Sequence, residues 1–201
     1  MHLGRHLLIS TLMMVVTTLL FGVVYPLVVT GLAQTLFPRE ANGQLIEQDG
    51  RVVGSRLIGQ AFMSQEYFWP RPSAAGAGYD AVASGGSNLG PTNPKLVERV
   101  EADLVRWQTT NTRTAVPIEL VTASASGLDP HLSPAGAMFQ IPRIARARGT
   151  SEDEIRMLVE RATEGRQFGF LGESRVNVLE LNLALDHQFP QPKQRLLPTR
   201  P

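Results

Sequence analysis

Between Arg5 and Arg39 the chain carries no Asp, Glu, Lys or Arg, and nothing else in its 201 residues constrains the fold as tightly. Residues 7–30 read LLISTLMMVVTTLLFGVVYPLVVT, mostly Leu, Val, Met and Ile, with a few Ser and Thr able to hydrogen-bond to their own helix. At about 1.5 Å per residue these two dozen positions make a helix of roughly 36 Å, enough for a tilted crossing of a ~30 Å hydrocarbon core. No polar face interrupts the run, which argues against a half-buried helix of a water-soluble core. Tyr25 lies near one end, where an amphipathic ring suits the membrane interface. Pro26 should bend or end the helix there, because its ring crowds the preceding turn and a carbonyl loses its partner.

A cleaved signal peptide is the competing reading. Its apolar stretch would be only about 7–15 residues, shorter than this one, although Gly31-Leu32-Ala33 has the small-x-small form of a cleavage site. We read the segment as an uncleaved anchor. The short N-terminal flank carries Arg5, two histidines and the α-amine, and a short positive flank stays cytoplasmic while a long domain is translocated. The expected organisation is a cytoplasmic N-terminus at 1–6, a transmembrane helix at 7–30, an extracytoplasmic domain at 31–189 and a flexible tail with four prolines at 190–201.

Beyond the anchor the pattern mixes helices and strands, an α+β domain. Asp49-Gly50 between two apolar runs predicts a hairpin with a two-residue turn, to which Leu57-Ile58 could add. Residues 59–93 show little periodicity, and a loop that long is unusual in a compact domain. Asn93-Pro94 is a strong helix start, followed by Leu96, Val97, Val100, Leu104 and Trp107 at helical spacing. Residues 116–122 suit a strand. Ser133-Pro134 opens a helix running to Arg148-Gly149, which Pro142 should kink or split. Ser151 and Glu154 form a capping box. Residues 176–186 suit a short strand leading into a helix, two states the pattern alone does not separate.

Two small-residue loops are the candidate sites: residues 84–94, SGGSNLGPTNP, and residues 123–132, ASASGLDPHL. A glycine-rich turn before a helix can bind anions, but neither GxxxxGK[ST] nor GxGxxG is present. The plainer reading is that Gly and Asn supply positive φ while Ser and Thr bond the nearby backbone. Ser124 or Ser126 with Asp129 and His131 could form a hydrolase triad, but the GxSxG elbow is missing. The domain has only His131 and His187 as imidazoles, so no metal site is assigned. Tyr67, Phe68 and Trp69 suit a packed loop or a partner surface as well as a stacking site. With no cysteine there is no thiol chemistry, and a net charge of +1 gives no reason to invoke nucleic acid. Residues alone leave no defensible catalytic set, and an anchored exterior ligand-binding module or serine hydrolase stays open.

The motifs taken in order resemble one family over nearly the whole chain: the C subunit of the bacterial Kdp potassium-transporting ATPase. They include Tyr25-Pro26-Leu27, Leu57-Ile58-Gly59-Gln60, Tyr67-Phe68 with Arg71-Pro72-Ser73-Ala74, and residues 84–94. Leu120-Val121-Thr122-Ala123-Ser124, Ser126-Gly127-Leu128-Asp129-Pro130-His131, Arg146-Ala147-Arg148-Gly149 and residues 176–186 continue the likeness. Pro142 departs from the uninterrupted helix expected in that family. The resemblance implies a non-catalytic accessory subunit of the inner membrane, with a channel-like potassium-translocating subunit, a P-type ATPase subunit and a small single-span peptide as partners. ATP and Mg would act on the ATPase subunit, and potassium would be the transported ion. The phosphorylated motif DKTGT does not occur here. The implied role is a catalytic chaperone that raises ATP affinity, or a cap over the channel-like subunit. Nucleotide or partner contacts would fall on Ser84, Gly85, Gly86, Ser87 and Asn88, with Gly90, Thr92 and Asn93. In the second loop they would fall on Ser124, Ser126, Asp129 and His131.

Overall fold

The uncharged run forms one continuous helical rod in the computed structural model, which describes residues 3–112 and 114–190. α1 (Leu3–Leu19) passes through a five-residue π-turn at Leu20–Val24 into α2 (Tyr25–Leu36). Pro26 therefore does not end the helix. The π register lets the Tyr25 N–H reach back to the Leu20 carbonyl, and this wider turn one step before the proline absorbs what a tight turn could not. None of its side chains is buried. Among the described residues it is the one helix long and apolar enough to cross a membrane. The short α3 (Pro38–Ala41) follows. The proline-rich tail lies, past Pro190, outside the described residues.

The chain divides into two compact units between Leu45 and Ile46. The second is the mixed helix/strand domain expected. β1 (Leu45–Gln48) and β2 (Arg51–Ser55) pair through Asp49-Gly50, whose φ values of 52° and 73° are those a type I′ turn requires. Leu57-Ile58 does not extend this sheet. The Ser55 hydroxyl and carbonyl capture the N–H groups of Leu57 and Ile58 in a turn, which ends the strand.

α4 (Pro94–Thr110) begins as expected, the Asn93 side chain accepting the Lys95 N–H at 3.0 Å. Residues 116–122 are not a strand: Ile118–Leu120 is a single 3₁₀ turn that buries Leu120. This coil places Glu119 so that its carboxylate accepts the Ser133 N–H. α5 (Pro134–Arg148) runs through Pro142 without splitting. One hydrogen bond is lost there, but Phe139, Ile141, Ile144 and Ala145 are buried on either side and hold both halves to the same core. α6 (Glu152–Ala162) carries the capping box, and α7 (Val178–Gln188) follows directly on β5 (Arg175–Asn177), so the ambiguous segment is both strand and helix. β5 is the centre of a three-stranded antiparallel sheet between β3 (His131–Leu132) and β4 (Thr163–Glu164).

The core lies where α5, α6 and α7 meet this small sheet, around Phe68, Leu132, Ile144, Ile155, Val176, Leu181 and Leu185. Residues 59–93 contain no helix or strand, and yet they supply Tyr67, Phe68 and Trp69 to it. Their backbone is satisfied by side chains instead. Asn182 accepts the Phe68 N–H at 2.8 Å and donates to the Phe68 carbonyl at 3.0 Å. Gln140 does the same for Trp69, at 2.8 and 2.9 Å. Each amide thus stands in for the neighbouring strand that the segment lacks. Arg143 donates to the carbonyls of Gln65 and Tyr67, and Arg148 to that of Glu66 and to Asp186.

Candidate functional site

The two small-residue loops meet over a short front. The Ser84 hydroxyl and the Gly85 N–H both donate to the Ser126 carbonyl, at 3.0 and 2.9 Å. Gly86 lies against Ala125, where a Cβ would come within 3.1 Å of the Ala125 carbonyl oxygen. Gly127 has φ of 67°, and a Cβ on it would strike the Ala75 nitrogen at 2.6 Å. The Ser73 hydroxyl donates to the Gly127 carbonyl at 2.6 Å and accepts the N–H groups of Ala75 and Tyr79. The front is therefore a junction of three loops stitched by hydroxyls and carbonyls.

The rest of the first loop lies apart from this junction. Asn88, with φ of 51°, and Gly90 are exposed, Ser87 is half-buried, and Thr92 precedes the cap at Asn93. Asn93 closes a turn onto the Gly90 carbonyl at 3.0 Å. No hydrogen bond joins Ser87, Asn88, Gly90, Thr92 or Asn93 to the second loop among the described residues. Positive φ falls on Asn88, whereas Gly85, Gly86 and Gly90 do without it. In this loop close approach, at Gly86, is the reason for a glycine.

Asp129 is the charged centre of the second loop. Arg71 Nη1 lies 3.0 Å from Oδ2, and the His131 N–H donates to Oδ1 at 3.0 Å. The His131 imidazole Nδ1 is 3.6 Å from Oδ1, long for a hydrogen bond but close enough for charge to be felt. Burial raises the Asp129 carboxyl, and His131 and Arg71 together outweigh it, leaving the group below the ordinary range. Ser126 Oγ accepts the Leu128 N–H, Ser124 is buried, and neither is hydrogen-bonded to His131 among the described residues. The loop thus holds an oriented imidazole beside an ion pair, with the serine hydroxyl of Ser126 engaged in a turn. Arg71 belongs to a motif of the family resemblance but was not among the candidate contact residues. A lone arginine between prolines, just after three aromatics, was the signal available.

The aromatic triplet is a packed segment. Trp69 lies between two guanidinium groups, Arg106 at 4.0 Å and Arg143 at 3.9 Å from its ring centre, and stacks at a tilt on Trp107 5.1 Å away. Burial, with Arg106 close by, pushes Arg143 down to about 9. Among the described residues no carboxylate pairs with it, and it donates to the carbonyl oxygens of Gln65, Tyr67 and the Gln140 amide instead. Tyr67 is pushed up to about 12 by burial and by its 2.9 Å hydrogen bond to Asp186.

The sequence that builds these elements is similar to that of known proteins. A family model described as KdpC, K+-transporting ATPase, c chain, matches residues 7–187. The chain belongs to the KdpC family. The potassium-transporting ATPase KdpC subunit of Koribacter versatilis is 58% identical over 191 residues, covering 95% of this chain and 99% of its own. That of Myxococcus xanthus is 61% identical over 178 residues, 87% of this chain and 84% of its own. That of Methylococcus capsulatus is 56% identical over 185 residues, 90% of this chain and 97% of its own. Membership in the KdpC family therefore extends over both the apolar helix and the domain.

Proposed function

We propose that the chain is a non-catalytic accessory subunit of an ATP-driven potassium-uptake complex. It is needed for assembly and raises the ATP affinity of the ATP-hydrolysing subunit from a distance. The observation that carries this reading is the KdpC match from residue 7 to residue 187, in a family named for the K+-transporting ATPase. The helix Leu3–Leu36 would be the anchor in the cytoplasmic membrane, with Arg5 on the cytoplasmic side and the domain outside. The partners would be a channel-like subunit, a P-type ATPase subunit and a small membrane peptide.

An exterior domain and an interior nucleotide are separated by a bilayer, so an effect on ATP has to be indirect. Linkage supplies the route. If the subunit binds better to the ATP-competent state of its partner, ATP must bind better when the subunit is present. A coupling of about 1–3 kcal/mol gives roughly 5–150-fold. The junction of residues 84–86 with 124–127 and the Arg71–Asp129 pair would then serve as contact surface. Its hydroxyls are engaged in backbone turns, which favours a shape-holding role over a nucleophilic one.

The test is co-purification of the C-terminally tagged full chain from potassium-starved native membranes, followed by ATP titration of the ATPase activity with and without the chain. A stoichiometric complex whose apparent ATP affinity drops several-fold on removal of the chain is the expected result. Recovery of the chain alone, or tight ATP binding by the chain itself at the small-residue loops, would overturn the reading.

A further inference from the structure

The π-turn of the apolar rod carries the helix past Pro26 but leaves one carbonyl behind. The Tyr25 N–H, which in an α-helix would serve Phe21, donates to the Leu20 carbonyl instead. The donor that the π register would offer Phe21, five residues on, is Pro26, which has no N–H. The Phe21 carbonyl has thus lost both of its regular donors. Phe21 stands sixteen residues past Arg5 and eighteen before Arg39, in the middle of the uncharged run. In the hydrocarbon of a bilayer no water takes the donor's place, and an open carbonyl there is costly.

The side chains around it add to this. Thr17 and Thr35 turn their hydroxyls back onto carbonyls of their own helix, Thr17 onto Met13 at 2.8 Å and Thr35 onto Gly31 at 2.7 Å. Among the described residues the Thr18 hydroxyl has no such partner. Phe21 and Gly22 lie three and four residues on from Thr18, so the three share one face of the helix. Gly22 answers no crowding within the chain, since a Cβ there would meet only the Thr18 methyl, at an ordinary 3.8 Å. A glycine that weakens a helix without being needed by its own chain opens the backbone to a neighbour.

We infer that the face from Thr18 to Gly22 is where a transmembrane helix of a different subunit packs on the rod, a side-chain O–H or N–H of that helix donating to the Phe21 carbonyl. The open acceptor selects the occupant, because lipid chains carry no donor. A second copy of this chain, held parallel by the same anchor, brings residues 20–24, LFGVV, to this level, and none of them has a side-chain donor. The nearest donors in such a copy, Thr18 and Tyr25, stand about 4.5 and 6 Å away along the axis. Small residues at the contact let two backbones come close enough for the bond. The inference rests on the reading of the chain as an anchored subunit of a membrane complex.

The test follows the Phe21 carbonyl itself by solid-state NMR. Isotope labels on the phenylalanine carbonyl carbon and the glycine nitrogen form a coupled pair only where Phe precedes Gly, at Phe21-Gly22 and Phe168-Gly169. Phe168→Leu, at an exposed side chain, leaves the first pair alone. The expected outcome is a free carbonyl resonance for the full chain alone in phosphatidylcholine vesicles, moving downfield to the hydrogen-bonded range in the complex purified from potassium-starved membranes. A bonded resonance in the isolated chain at every lipid dilution overturns the inference, since the donor is then the chain's own. One that becomes free only on dilution with lipid overturns it in favour of a second copy, and one that stays free in the complex overturns it outright. Pro26→Ala gives an independent measurement. It lets the helix return to the α register, in which the Tyr25 N–H serves Phe21 and the partner's donor is left without its acceptor. The chain should then leave the complex roughly three- to twentyfold faster in detergent, whereas Val16→Ala on the opposite face should leave at the parent rate. Release of Pro26→Ala at the parent rate overturns the inference. Recovery of the parent chain without any other subunit overturns the accessory-subunit reading, and the inference with it.

Discussion

Gly136 shows how a single side chain can be required for what it lacks. It sits in the first turn of α5, and a Cβ there would come within 2.0 Å of Glu119 Oε1. That carboxylate cannot swing away without giving up the Ser133 N–H and hydroxyl at the helix start. Gly136→Ala should therefore destabilise the domain by about 1–2 kcal/mol, despite alanine's better helix propensity, seen as a lower urea midpoint with unchanged slope. Asp129 gives a pH signature at the same scale. Its carboxyl is depressed in the folded chain, so its contribution is present above the unfolded value near ~4 and is lost as pH falls through the lower folded value. Asp129→Asn should lower stability at neutral pH and flatten the acid limb of the stability–pH curve below about pH 4. An acid limb as steep as in the parent chain would mean that the Arg71 and His131 contacts contribute little.

At the scale of elements, the informative case is the strapping of residues 65–69 by α5 and α7. Gln140, Arg143 and Arg148 fall on one face of α5 and are buried, and each addresses a backbone carbonyl in this stretch. Gln140→Leu keeps the volume but leaves the buried Trp69 N–H and carbonyl without partners. Hydrogen exchange at Trp69 should then quicken by roughly 100-fold, while the amides of α6 change much less. Equal acceleration everywhere would mean that the strap is part of one global unit. This arrangement also explains Pro142 and Pro26. A proline removes one helical hydrogen bond, and packing on both sides in α5, or a π-turn before it in the apolar rod, keeps the helix whole.

For the whole molecule the two units have separate reasons to exist. Among the described residues no member of the hydrophobic core precedes Phe62, so the domain should fold without the apolar rod. A chain lacking residues 1–40 is expected to be soluble and to unfold cooperatively, with the near-ultraviolet signal of Trp69 and Trp107 lost in the same transition as the helical signal. Early loss of the tryptophan signal would show that the rod contributes to the packing of the domain.

The sequence by itself determined the features whose physics closes within a few residues. Absence of charge between Arg5 and Arg39 makes most of the rod at Leu3–Leu36, Asp49-Gly50 makes the hairpin, and Asn93, Ser133 and Ser151 with Glu154 cap their helices through side chains reaching two or three positions along. Family kinship was legible for the same reason, being carried by ordered runs such as residues 84–94 and 126–131. Tertiary structure decided what depends on distant partners. Phe68 meets Asn182 across 114 residues and Trp69 meets Gln140 across 71, so an aperiodic stretch becomes core without showing any pattern of its own. The three-stranded sheet is built from strands of two or three residues, too short for alternation to register. Arg71 finds Asp129, and Glu119 finds Ser133, only after the chain has folded back. Local hydrogen bonding can be read along a chain, but burial and ion pairing between remote segments exist only once the core has brought them together.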